Sequence, residues 1–437
     1  MSPWFLRDVA GPHDYAGATS FVHLWRLKEA LAKGRPCDMG SDINEVMNDI
    51  IFAVAFGVSR GAIQAKIEAL SQQTVDAATD LDEEQIFPTA KRSSVYEDIH
   101  TVFTSPEIAL KSPLGAWHLA FALKYYPELR QAVKRKDRFI QQMLDEAWQK
   151  FSQPSSSDDK IKSAADLLIA REVAQSRKSG RQAQYDSPMV KDELFLFLLG
   201  GFDTVPTTVK WDRLLSMPRG IKFLTRHQEV QTKLRRALTD SFKEARSRGE
   251  PPSADEIERT KVPYLDAFLE EVTRVSCTSM SNGRITTQAV DVLGYRIPKG
   301  VEVWTMNVGP SQTAPRFEIA RSKRRGESEA EREISQWTGD WDEPSLAEFI
   351  PERWLSTTED GTVGFDPRAG PNHVFGAGPR GCFGRKLAMR SMRTLFVLVL
   401  WEFELRSLPE NLASFAAKDL LTHQPQLSYI SLRSQPL

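Results

Sequence analysis

The chain has 437 residues, with 41 % hydrophobic and 26 % charged residues and a formal net charge of −1. That balance suits a folded protein with a large core and argues against a dedicated nucleic-acid binder, whose surface is strongly basic. Three cysteines, Cys37, Cys277 and Cys382, are too few for a disulfide framework, and no apolar run reaches the roughly 18 residues that span a membrane. The first residues, "MSPWFLRDVAGPHDYAG", lack the basic region and apolar stretch of a signal peptide, so the expectation is a soluble intracellular protein with no membrane span.

In chain order, "PELRQAVKRKDRFIQQMLDEAWQKF" from Pro127 to Phe151 spaces its apolar residues at three and four, which predicts an amphipathic helix. Residues 152–162 follow as a surface loop, rich in turn formers with little to bury. From Ser187, "SPMVKDELFLFLLGGFDTVPTTVKWDRLLSM" begins amphipathic and turns apolar on every side, the pattern of a central helix. Pro206 removes an N–H and leaves the Phe202 carbonyl without its helical donor, so this helix is expected to bend there. A charged amphipathic helix, "RHQEVQTKLRRALTDSFKEARSR", comes next, and "LDAFLEEVTR" places Glu271 and Arg274 on one helical face. Strand signals are few and late: "DVLGYRIPKGVEVWTM" alternates around turns, and "LSYISLRS" closes the chain. Residues 318–345 form a charged insertion, low in aliphatics, which reads as solvated surface. No linker separates two cores, so residues 1–437 are expected to form one mainly α domain with small late β-sheets.

The stretch "HVFGAGPRGCFG", His373 to Gly384, is a glycine-rich turn opening a helix, but it carries a thiol where a phosphate loop ends in Lys-Ser/Thr. A helix N-terminus favours thiolate, either as nucleophile or as metal ligand. His373 is the nearest base in sequence, and a zinc site lacks a second cysteine or histidine at short spacing. The alternative is a metal held by one thiolate, its other ligands supplied by a cofactor.

Phe375, Gly378, Arg380, Cys382 and Gly384 resemble the Phe-x-x-Gly-x-Arg-x-Cys-x-Gly heme-binding signature of the cytochromes P-450. The resemblance implies a mainly α fold around heme b, with Cys382 as axial thiolate, Phe375 near the sulfur and Arg380 on a heme propionate. It also implies a buried Glu-Arg-Arg network of Glu271, Arg274 and Arg353, the last from "FIPERWL", and a second propionate partner, Arg284, in "SMSNGRITTQ". Gly200, Gly201, Asp203 and Thr204 resemble the family's oxygen-activation segment. There the small residues leave room for dioxygen, and Asp203 and Thr204 act as catalytic proton-relay groups. Met280 and Asn282 are placed beside the substrate.

The implied function is a monooxygenase that inserts one atom of O2 into an apolar small molecule, acting as a monomer in specialised metabolism. Its electrons would come from an NADPH-dependent flavoprotein reductase. Arg385, Lys386, Arg390 and Arg393 on the last helix are either ordinary solvated cations or the docking face for that donor. The resemblance starts near Trp25, where "LWRLKEALAKGRPCDMGSDINEVMNDIIFAVAFG" looks like a mid-chain region of filamentous-fungal members. Full-length relatives would be anchored to the endoplasmic reticulum membrane, and the expectation is therefore a fold without its N-terminal part. Trp25-Arg26 is not assigned the propionate role of the missing helix. A non-catalytic or heme-deficient remnant is the alternative to the enzyme.

Overall fold

The computed structural model describes residues 4–59, 61–72, 80–90, 92–152, 160–210, 221–292, 295–310, 312–315, 341, 344–376, 378–414, 417–419, 422–435 and 437. A π-helical turn, Phe5–Ala10, runs straight into α1 (Gly11–Ala32). Then come α2 (Gly40–Phe56), α3 (Ala62–Gln72), α4 (Ser94–Thr104), α5 (Pro106–Leu110), α6 (Ala116–Tyr125) and α7 (Pro127–Phe151). The middle of the chain forms α8 (Ala164–Ser179), α9 (Pro188–Phe202), α10 (Thr204–Lys210), α11 (Ile221–Arg226) and α12 (Gln228–Ser241). α13 (Lys243–Arg248), α14 (Ala254–Arg259), α15 (Pro263–Ser276) and α16 (Arg385–Glu402) complete the helices labelled here. Most of the expected loop at 152–162 and of the charged insertion at 318–345 lies outside the described residues.

Helix dominates, as expected, but the sheets are not only late. β1 (Cys37–Asp38) pairs with β11 (Tyr429–Ser434), which pairs with β8 (Phe403–Arg406), so one antiparallel sheet joins the start of the chain to its end. A two-residue strand carries no alternation that sequence reading could detect. The other sheets are antiparallel pairs: β2 (Ser281–Ile285) with β5 (Glu302–Met306), and β3 (Val290–Val292) with β4 (Tyr295–Ile297). β6 (Leu355–Thr357) pairs with β7 (Val363–Phe365), and β9 (Ala417–Asp419) with β10 (His423–Pro425).

α7 spans the predicted residues and buries a single stripe that includes Leu129, Ala132, Phe139, Ile140, Met143 and Leu144. α16 is different. From Met392 to Trp401 most of its residues are buried, as befits a helix enclosed by α1, α12 and α15. Each such large side chain contributes roughly 1.5–3 kcal/mol by leaving water.

α2 is just as enclosed yet carries acids, and each acid has partners. Asp42 accepts Lys28 at 2.6 Å, Lys66 at 2.8 Å and the Trp25 indole at 3.3 Å, while Glu45 meets Lys66 at 2.7 Å and Arg92 at 3.2 Å. These contacts tie α1, α2 and α3 together. Arg26 pairs through both oxygens with Glu402 at the end of α16, so Trp25 and Arg26 both serve the scaffold.

Candidate functional site

The loop before α16 is shaped by its backbone. Gly376 and Gly378 have φ of 66° and 63°, a left-handed conformation that a side chain would strain. The Gly376 N–H donates to the His373 carbonyl at 2.8 Å, and Gly381 N–H to Gly378 at 3.0 Å, closing a short 3-10 turn at Gly378–Arg380. The Cys382 N–H reaches back to the Phe375 carbonyl at 2.6 Å. Gly384 caps α16, and a Cβ there would lie 3.8 Å from the Cys382 sulfur. Cys382 itself is exposed, as is Arg380. His373 is half-buried, and burial pushes its imidazole pKa down.

Cys382 lines a cavity of ≈ 670 Å³. Phe375, Phe383, Gly384 and Leu387 surround it from the loop and α16. Gly200, Gly201, Thr204 and Val205 contribute from α9 and α10, Met47, Ile50 and Ile51 from α2, and Leu167 and Leu168 from α8. The central helix is therefore interrupted and is not a plain buried rod. α9 stops at Phe202, Asp203 takes φ −123° and ψ −27°, and α10 starts at Thr204, matching the bend expected from Pro206. Across that break the Thr204 hydroxyl donates to the Gly200 carbonyl at 2.5 Å.

The two glycines differ in use. A Cβ on Gly200 would meet nothing within 4 Å, whereas one on Gly201 would come within 2.7 Å of Ile51. Gly200 leaves space at the cavity, and Gly201 lets α2 pack closely. Asp203 is absent from the cavity wall. It is buried and accepts a hydrogen bond from the Thr422 hydroxyl. Nearby, burial pushes the Lys210 pKa down to about 8 against the opposing charge of Asp203, and its ammonium donates to Asn44 at 2.8 Å.

Glu271 and Arg274 are 0 % and 1 % exposed and form a two-point ion pair at 2.6 and 2.7 Å. Arg274 also donates to the carbonyls of Gln312, Leu346 and Glu348. The carboxylate is completed by the Trp354 indole at 2.8 Å and the Ile350 N–H at 3.0 Å. This corrects the expected membership: Arg353 donates to the Ser345 carbonyl and lies over the Trp341 ring, and its neighbour Trp354 takes the place on Glu271. The adjacent acid, Glu270, was not singled out from sequence. Buried at 2 % exposure, it accepts Asn372 at 2.8 Å and Arg385 at 3.1 Å, and burial pushes its pKa up against these partners.

Arg284 and Asn282 lie on β2, with Met280 just before it, and none of the three is in the cavity wall. Arg284 is exposed and donates to the Gly283 carbonyl, while Asn282 donates to Asn307. The four cations of the last helix do not form one free patch. Arg393 serves Asp266 and the carbonyls of Ile257 and Thr260, Arg390 donates to the Leu6 carbonyl, and Arg385 sits on Glu270. Lys386 is exposed.

Ser391, also in the cavity wall, donates to fully buried Asp14 at 2.7 Å. Arg390 Nε stands 3.4 Å from the other Asp14 oxygen, yet neither atom forms a hydrogen bond there. Burial outweighs both neighbours and pushes Asp14 up to about 7. An acid raised in the fold favours its protonated form, so this stabilisation is complete below about pH 4 and is lost as pH rises towards 7. Asp14→Asn is expected to gain on the order of 2–4 kcal/mol near neutrality and little at pH 4. Parallel thermal melts of the two proteins across that range would contradict this.

The cavity fits a flat apolar macrocycle held by one sulfur. Its walls are largely apolar, Cys382 supplies the thiol, and Gly200 leaves the helix backbone clear. Arg284 and Arg380, expected on the propionates, stand outside that wall. The sequence model described as Cytochrome P450 matches residues 17–309 and 340–430. The chain belongs to the cytochrome P450 family. Among its P450 relatives, the Cytochrome P450 monooxygenase GME11363 of Pestalotiopsis microspora is 34 % identical over 435 residues, covering 99 % of this chain and 74 % of the relative. The Cytochrome P450 monooxygenase TRI13 of Fusarium sporotrichioides is 32 % identical over 99 % of this chain and 75 % of its own length. The crystal structure of a cytochrome P450, CYP102L1, superposes with a TM-score of 0.63 at 16 % identity, covering 99 % of this chain and 77 % of that one, a likeness of fold. This P450 is thus an enzyme of the heme monooxygenase type. Among its described residues no helix is long and apolar enough to cross a membrane.

Proposed function

We propose that Cys382 is the axial thiolate of heme b, and that the chain inserts one atom of O2 into an apolar small molecule of specialised metabolism. The observation that carries this reading is the presence of the Cys382 sulfur and the Thr204 hydroxyl in the wall of one apolar cavity. When bound, a thiolate-ligated heme supplies dioxygen activation, with the thiolate favouring O–O cleavage. Overall, substrate, O2, two electrons and two protons give hydroxylated product and water. The electrons come from an NADPH-dependent flavoprotein reductase, and exposed Lys386, beside the cysteine loop, is the cation of the original cluster best placed to meet its acidic surface.

The protein's own work is to bind and to move protons. Met47, Ile50, Leu167, Leu168 and Phe197 strip water from an apolar substrate. Thr204 Oγ1 holds its proton on the Gly200 carbonyl, and rotation about χ1 turns that O–H into the cavity. Asp203, with its carboxylate on Thr422, resupplies protons from behind the break in the helix.

Thr204→Ala is expected to keep heme content and the thiolate spectrum while product formed per O2 consumed falls about tenfold or more. Measuring oxygen uptake and product together in a reductase-driven assay checks this. Unchanged coupling would remove Thr204 from the reaction.

A further inference from the structure

Cys382 is exposed, and its N–H bond to Phe375 lies within its own loop. The direction of the sulfur therefore depends on how the two ends of that loop are fastened. Both ends meet one side chain. At the N-terminal end, Asn372 Nδ2 donates to Glu270 Oε1 at 2.8 Å and to Thr273 Oγ1 at 3.0 Å, while its Oδ1 accepts the Val374 N–H at 3.3 Å. At the C-terminal end, Arg385 Nη2 donates to the same Oε1 at 3.1 Å and reaches Oε2 at 3.4 Å. The Arg385 guanidinium also lies 5.5 Å from the centre of the Phe375 ring, and its backbone N–H bonds the Cys382 carbonyl at 3.4 Å.

From this geometry we infer that Glu270 is a positioning residue for Cys382: one buried carboxylate on α15 that clamps both ends of the cysteine loop. A buried charge costs desolvation that is offset only by well-placed partners, so such a group fixes one arrangement of its donors and disfavours others. The two donors share one oxygen, and displacing either loop end strips the carboxylate of a partner it cannot replace with water. Arg385 thereby also holds Phe375, the residue packed in the cavity wall beside the thiol.

A weaker possibility is that Glu270 only fastens α15 to α16. The same two helices share a second ion pair, Arg393 with Asp266, which lies away from the loop and serves as the control. The clamp itself follows from geometry alone, and its consequence for ligation rests on the heme-thiolate reading above. The experiment separates the two.

Hydrogen–deuterium exchange of the heme-free chain reads the loop directly. Glu270→Gln and Arg385→Gln are expected to speed exchange of the Gly376, Gly381 and Cys382 amides about tenfold, and Arg393→Gln to leave them unchanged while lowering the melting temperature. In the heme-loaded protein, the ratio of thiolate-type to thiol-type spectrum in the reduced carbon monoxide complex should fall about tenfold in the first two variants and hold in the third. Arg385 has a half-exposed side chain, so its variant is expected to fold even where Glu270→Gln does not. Wild-type exchange rates in both clamp variants, or equal acceleration in Arg393→Gln, would overturn the inference. A wild-type chain that takes up no heme would instead overturn the heme-thiolate reading, while the exchange result still decides the clamp.

Discussion

Arg274→Ala lowers the stability of the chain by about 3–5 kcal/mol, a large part of the 5–15 kcal/mol that holds a typical domain together. The magnitude follows from what is left behind. Glu271 is fully buried and keeps only the Trp354 indole and the Ile350 N–H, so most of a charge loses its compensation. Three backbone carbonyls, at Gln312, Leu346 and Glu348, lose their Arg274 donor at the same time. Arg353→Ala removes one hydrogen bond to Ser345 and a stacking contact from a half-buried site, and should cost about 1–2 kcal/mol. Urea denaturation of the two variants separates them. Equal losses would restore Arg353 as a full member of the Glu271 network and contradict the arrangement described here.

Cys382→Ala has the opposite profile. Its side chain is exposed, so the fold should change by no more than about 0.5 kcal/mol. Yet the variant removes the sulfur from the cavity wall, and the thiolate spectrum of bound heme should disappear completely. Thermal melting together with the spectrum of the reduced carbon monoxide complex tests both halves. A thiolate signature surviving in Cys382→Ala would assign the ligand elsewhere, and buried Cys37 and Cys277 are then the alternatives.

Periodicity made α7 legible to the residue, because a stripe of apolar side chains at helical spacing has one solution. Pro206 announced the break between α9 and α10 for an equally local reason, a missing N–H. What sequence reading missed depends on packing across the chain. Spacing places Gly200 and Gly201 side by side, but only the approach of Ile51 shows that Gly201 serves α2 and Gly200 the cavity. Asp203 and Thr204 are also adjacent, and the helix break sends one to Thr422 and the other to the cavity wall.

Arg353 and Trp354 show the same limit. A short 3-10 turn at Pro351–Trp354 decides which neighbour faces Glu271, and a four-residue motif does not reveal that turn. Glu270 left a readable signal. "FLEEVTR" sets two acids side by side among apolar residues, and two buried carboxylates require two separate sets of donors, of which Arg274 supplies only one. The expected cationic docking face failed for a related reason. Arginines on a helix enclosed by α1 and α15 serve as internal donors, as Arg390 and Arg393 do.

The central claim is that this chain closes a pocket around a heme held by Cys382. The most direct measurement is the absorption spectrum of the purified chain, loaded with heme, reduced and exposed to carbon monoxide. The predicted result is one equivalent of heme per chain with the red-shifted Soret band of thiolate ligation. No heme uptake, or heme bound with only the band of a thiol or histidine ligand, would contradict it.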